Sequence, residues 1–161
     1  MIKNFINDFM LEAINMAKLA FENDEVPVGA IIVNNGEIIG RGFNQVIEKH
    51  SISSHAEINA INQASQLIEN YRLKGCDIYV TLEPCHMCAK AIVDARLNSL
   101  YFGAYEPKTG AIESIDQFLE RDDINHNVIF SGGHMKEECS ELLKQFFKSK
   151  RAMKASQKNL F

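Results

Sequence analysis

TLEPCHMCAK, residues 81–90, sets two cysteines three apart directly behind a proline, where an apolar run gives way to a helix-forming one. The preceding CDIYVTL (76–82) is apolar and rich in β-branched and aromatic residues, as a buried strand requires. Pro84 suits the first turn of a following helix, where its missing N–H leaves nothing unpaired. A C-x-x-C at a helix start puts both sulfurs on one face, near unpaired backbone N–H groups that favour thiolates. Four cysteines in the whole chain, two of them in this spacing, fit a reducing compartment, with metal or redox chemistry in place of a disulfide.

Working outward, residues 5–21 carry Phe9, Met10, Ala13, Ile14, Ala17 and Ala20 at helical spacing. GAIIV (29–33) and EIIGRGF (37–43) flank Asn34-Asn35-Gly36, whose Asn-Gly pair accepts the positive φ of a tight hairpin turn. A helix is predicted over about 54–67, with Ser53 or Ser54 as its N-cap. Further strands are predicted over 98–104 and 127–130, separated by a loop-rich stretch containing PKTG, and a closing helix starts near residue 136. An initial hairpin followed by alternating helices and strands predicts an α/β layered domain around a mixed sheet.

The chain has 161 residues, 46% hydrophobic and 24% charged, and no repeat or linker divides it, so one domain is expected over 1–161. No apolar run approaches the roughly 20 residues of a membrane span. The opening MIKNFINDFM lacks a signal-peptide cleavage pattern, so the expectation is a cytoplasmic protein with no membrane contact. All 21 acidic residues lie at or before Glu141, whereas Lys144, Lys148, Lys150, Arg151, Lys154 and Lys158 follow it. A basic C-terminal helix, about 136–158, on an acidic body is either a solvated helix end or a polyanion contact.

Two thiolates need a further ligand to hold zinc, and His55 in SSHAEINA, also at a predicted helix start, is the best candidate. Glu57 gives the constellation a catalytic character. Residues two apart on an ideal helix diverge by about 200°, so His55 and Glu57 can share a site only beyond the helix's N-terminal end. No fourth protein ligand is evident: His86, inside the C-x-x-C, must point elsewhere, and Cys76 and Cys139 read as buried apolar residues. Three ligands leave one position for water, as in hydrolytic zinc sites. A structural zinc or a redox pair are the rival interpretations of the cysteines.

His55-Ala56-Glu57 with Pro84-Cys85-His86-Met87-Cys88 resembles the H-x-E…P-C-x-x-C signature of the zinc nucleobase deaminases. EVPVGA (25–30), Asn44, NYRL (70–73), FGA (102–104), KTGA (108–111), Asn125-His126 and LLKQFF (142–147) extend the resemblance to the bacterial tRNA-specific adenosine deaminases, over about residues 9–151. That resemblance implies a three-layer α/β/α cytidine-deaminase-like fold with a central mixed five-stranded sheet. It also implies a homodimer needing no other protein, and one Zn2+ per subunit on His55, Cys85 and Cys88. The implied reaction is hydrolytic deamination of adenosine to inosine at wobble position 34 of a tRNA anticodon stem-loop, in an arginine tRNA, with Glu57 moving the protons. Asn44 and Val28 are then substrate-binding; the lesser alternative for Asn44 is a turn residue ending the second strand. Lys108, Glu106, Phe147, Lys148 and Arg151 are then RNA-binding. Glu83 is read as an organiser of the zinc loop, and the strip Leu142, Leu143, Phe146, Phe147 mainly as core. The sequence departs from the family pattern at Ser51 after His50 and at Tyr105-Glu106 after FGA. A deaminase of free guanine, cytosine or cytidine shares the zinc signature and is the alternative.

Overall fold

The Asn35-Gly36 turn, with φ of 49° and 80°, joins β1 (Gly29–Asn34) to β2 (Glu37–Phe43) as the Asn-Gly pair predicts. The computed structural model describes residues 2–160, with side chains described from Phe5. Met1 and Phe161, the ends of the expected 1–161 domain, lie outside the described residues. Around the hairpin run α1 (Ile2–Glu22), α2 (Ala56–Ile68), β3 (Cys76–Leu82), α3 (His86–Asp94), β4 (Ser99–Ala104), β5 (Ile129–Ser131) and α4 (Lys136–Lys158). The last strand starts two residues later than predicted, and a 3-10 turn at Phe118–Glu120 interrupts the loop-rich stretch.

The five strands form one mixed sheet in the order β2-β1-β3-β4-β5. β1 is antiparallel to both β2 and β3, whereas β3, β4 and β5 run parallel. Strand periodicity divides the core in two. Ala30, Ile32, Ile78 and Val80 face the α2 and α3 layer, while Ile31, Val33 and Tyr79 face α1 and α4. The result is a three-layer α/β/α sandwich, as expected. Full burial of each isoleucine in these clusters contributes about 1.5–3 kcal/mol.

Small residues let the helices lie almost on the sheet. An added Cβ at Gly40 would come within 2.4 Å of the Ala60 carbonyl oxygen, and one at Gly42 within 2.3 Å of that of Ala56. Gly29 stands equally close to the backbone of α1 at Ala13. The α2 face opposite these glycines is Ala56, Ala60 and Ala64, all fully buried. Glycine and alanine here set the height of α2 above β2, and so the position of its first residues. Among the described residues, no helix is long and apolar enough to cross a membrane.

Candidate metal centre

Two helix N-termini meet at one end of the sheet. His55 is the N-cap of α2 and Cys85 the N-cap of α3, both in extended conformation (φ −75°), and neither side chain caps its own helix. This corrects two expectations. Neither Ser53 nor Ser54 caps α2, and Pro84 precedes the N-cap of α3 instead of lying in its first turn. Asn44, at the end of β2, does the capping from outside the helix: its Oδ1 accepts the Ala56 N–H at 2.8 Å. Because His55 has not yet entered the helix, the 200° divergence of helical neighbours does not separate it from Glu57.

His55 Nδ1 lies 3.7 Å from the Cys85 Sγ and 3.5 Å from the Cys88 Sγ, and the three donor atoms fall within 4.8 Å of one another. For tetrahedral zinc with bonds of about 2.3 Å to sulfur and 2.05 Å to nitrogen, the N···S edge is about 3.6 Å. The donor set therefore fits a metal of zinc's size and softness. The electrostatics agree. A hydrogen bond from the Cys88 thiol, helped by His55, holds Cys85 down to about 3, against the effect of burial. Cys88 is pushed strongly up by that same bond and by burial, and binding a metal requires both thiols to give up their protons. The Cys85 hydrogen bond raises His55, against burial.

Glu57 is 4% exposed, beside Cys88 and His55, and burial raises its carboxyl above the ordinary range. His86 turns away, as the sequence demands, and pairs with Asp116 at 2.8 Å. Cys76 and Cys139 are buried. Glu83 organises the neighbouring loop more extensively than its sequence position discloses. Its two oxygens accept N–H bonds from Glu106, Ile112, Glu113 and Ser114 at 2.8–3.1 Å, and a further bond from the Ser114 hydroxyl.

Above the donor triangle opens a cleft of ≈ 520 Å³, whose lining includes Val28, Asn44, His55, Glu57, Cys85 and Phe147. Cys88 is buried behind it. Of the expected RNA-binding residues, Phe147 is 45% exposed in the cleft wall, but Lys108, Glu106, Lys148 and Arg151 lie outside the lining. The cations that do face the cleft are Lys150 and Lys154, with Lys150 paired to Asp24. Within the apolar strip, Phe146 is buried and Leu142 and Leu143 half-buried, so the core assignment holds for these three and not for Phe147. Glu25, Thr109 and Lys150 are not legible as cleft residues, because only the approach of segments distant in sequence, α4 among them, puts them there.

The layer order and the histidine-cysteine triangle define a deaminase domain of the cytidine-deaminase-like fold. A family model described as MafB19-like deaminase matches residues 6–151. The chain is 44% identical to the tRNA-specific adenosine deaminase of Agrobacterium fabrum, over 89% of this chain and 94% of that one. It is 43% identical to the enzyme of that name from Bacillus subtilis, over 94% and 95%. A solved structure from work on A-to-I editing by tRNA:A34 deaminases superposes with a TM-score of 0.82 at 43% identity, covering 84% of this chain and 99% of that one. The guanine deaminase of Nitrosomonas europaea shares the fold, with a TM-score of 0.74 at 20% identity, over 87% and 83%. The chain belongs to the family of tRNA-specific adenosine deaminases.

Proposed function

We propose that this chain is a zinc-dependent deaminase that converts adenosine to inosine at wobble position 34 of an arginine tRNA. It acts as one domain over 1–161, as a cytoplasmic homodimer. The observation that carries the proposal is the His55-Cys85-Cys88 triangle with Glu57 buried beside it, in a chain 43–44% identical to tRNA-specific adenosine deaminases.

When bound by His55, Cys85 and Cys88, zinc supplies Lewis-acid activation of a water molecule at neutral pH. Glu57 is the proton carrier. Burial lifts its affinity for a proton, so it can take one from water and deliver it to adenine N1, then take the second from the oxygen added at C6 and pass it to the departing amine. The net change adds water at C6 and releases ammonia. Asn44 orients the base: the Ala56 N–H bonded to its Oδ1 fixes the amide and leaves its Nδ2 donors available to an acceptor on the purine. Val28 and Leu82 supply apolar wall. Phe147 offers a ring for stacking, and Lys154 a cation for phosphate beyond the flipped nucleotide. Lys148 and Arg151 extend the same basic helix into solvent, where a longer RNA would reach them.

The test offers purified protein an arginine anticodon stem-loop with adenosine at position 34, and in parallel free adenosine, cytidine and guanine. Inosine in the stem-loop alone is expected, lost on chelation and restored by zinc. Ammonia from a free base with the RNA untouched would overturn the tRNA assignment.

A further inference from the structure

The carboxylate of Glu25 is 2% exposed and has no cation beside it among the described ion pairs. A buried charge of this kind is retained only where hydrogen bonds compensate its desolvation. Here the donors are two consecutive backbone amides from a distant turn: Ile47 N–H to Oε1 and Glu48 N–H to Oε2, each at 3.0 Å. Val46 and Ile47 of that turn line the cleft, and Ile47 keeps 64% of its surface exposed there. The end of α1 aims the carboxylate. Asp24 takes the left-handed conformation (φ 63°), its N–H bonds the Phe21 carbonyl, and the Glu25 N–H reaches back to the Ala20 carbonyl at 2.9 Å. That arrangement turns Glu25 inward and leaves Asp24 outside, paired with Lys150 of α4.

We propose that Glu25 is a positioning residue for the deamination reaction: it tethers the 45–51 turn so that Val46 and Ile47 form a fixed wall of the substrate cleft. The role rests on the cleft being the substrate site, as proposed above. It does not touch the reacting atoms. Both carboxylate oxygens are in use, so glutamine, with one acceptor and one NH2, keeps a single tether and sets a donor against the other amide. Alanine keeps neither. A loosened wall binds substrate less well but leaves Glu57 and the donor triangle where they were, so KM should rise and kcat should not.

The experiment compares wild type, Glu25→Gln and Glu25→Ala, all zinc-loaded, by stem-loop kinetics and residue-resolved amide exchange. Expected are KM increases of about threefold for glutamine and about tenfold or more for alanine, with kcat within about threefold. Exchange at Ile47 and Glu48 should accelerate at least about tenfold, while Ile31 and Val80 in the core keep their protection. Unchanged exchange at Ile47 and Glu48, or a fall in kcat at constant KM, would overturn the proposal. So would faster exchange throughout the core, which would make Glu25 a residue of global stability. Exchange is read without substrate, so a wild-type enzyme silent on RNA would refute the functional assignment while leaving the tether itself measurable.

Discussion

Replacing Gly42 by alanine tests whether close packing of α2 on β2 sets the catalytic geometry. The new methyl would sit 2.3 Å from the Ala56 carbonyl oxygen and 2.5 Å from the Ala60 nitrogen, both backbone atoms with no rotamer to change. A methyl carbon needs about 3.4 Å from such an oxygen, so the start of α2 must withdraw by about 1 Å. Overpacking of this kind costs about 1–3 kcal/mol, which lowers the melting temperature of a chain this size by about 3–10 °C. The functional cost is greater, because Ala56 lies between His55 and Glu57. A displacement of about 1 Å of a catalytic group lowers the rate by about 10²-fold. The assay measures kcat on the stem-loop, zinc content and melting temperature on the same preparation. Zinc should be retained, because the loop before His55 can follow the ion, and kcat should fall far more than stability accounts for. A Gly42→Ala enzyme with kcat within about twofold of wild type would refute the claim that this glycine positions Glu57.

Glu57→Gln should bind zinc normally and lose about 10²–10⁴-fold in kcat, since glutamine fills the space but carries no proton; substantial turnover would remove Glu57 from its role. Glu83→Gln should destabilise the 106–114 loop by about 2–3 kcal/mol at neutral pH, as measured by denaturant unfolding. Burial raises the Glu83 carboxyl, but the hydrogen bonds from Ser114, Glu113 and Glu106 outweigh it and the net shift is downward from 4.5. Its stabilisation is therefore complete above that value and lost as pH falls through the lower folded-state pKa, so the gap between wild type and Glu83→Gln should close in acid. A gap independent of pH would contradict this. Lys154→Ala should weaken stem-loop binding and reduce the slope of log affinity against log salt by about one; an unchanged slope would mean that Lys154 meets no phosphate.

Much of this molecule is legible in its sequence, for local reasons. The hairpin follows from Asn35-Gly36, β3 from a short β-branched run, α4 from its first turn at Lys136, and the metal ligands from residue chemistry and spacing. These features depend on neighbours within a turn or a strand, where backbone sterics and ligand preference act directly. The caps did not follow. Serine is the local choice before α2, yet the side-chain oxygen that satisfies Ala56 comes from Asn44, which frees His55 to face the metal position. The sequence marks Glu83 as a loop organiser, but it could not disclose that Glu25 anchors a second loop or that both carboxylates are buried, since a carboxylate is ordinarily solvated unless distant amides converge on it. Residue types and spacing determined which atoms could bind metal and move protons. Only tertiary structure decided which cations face the cleft and how its walls are held, because those depend on where α4 and the 45–51 turn come to rest against the sheet.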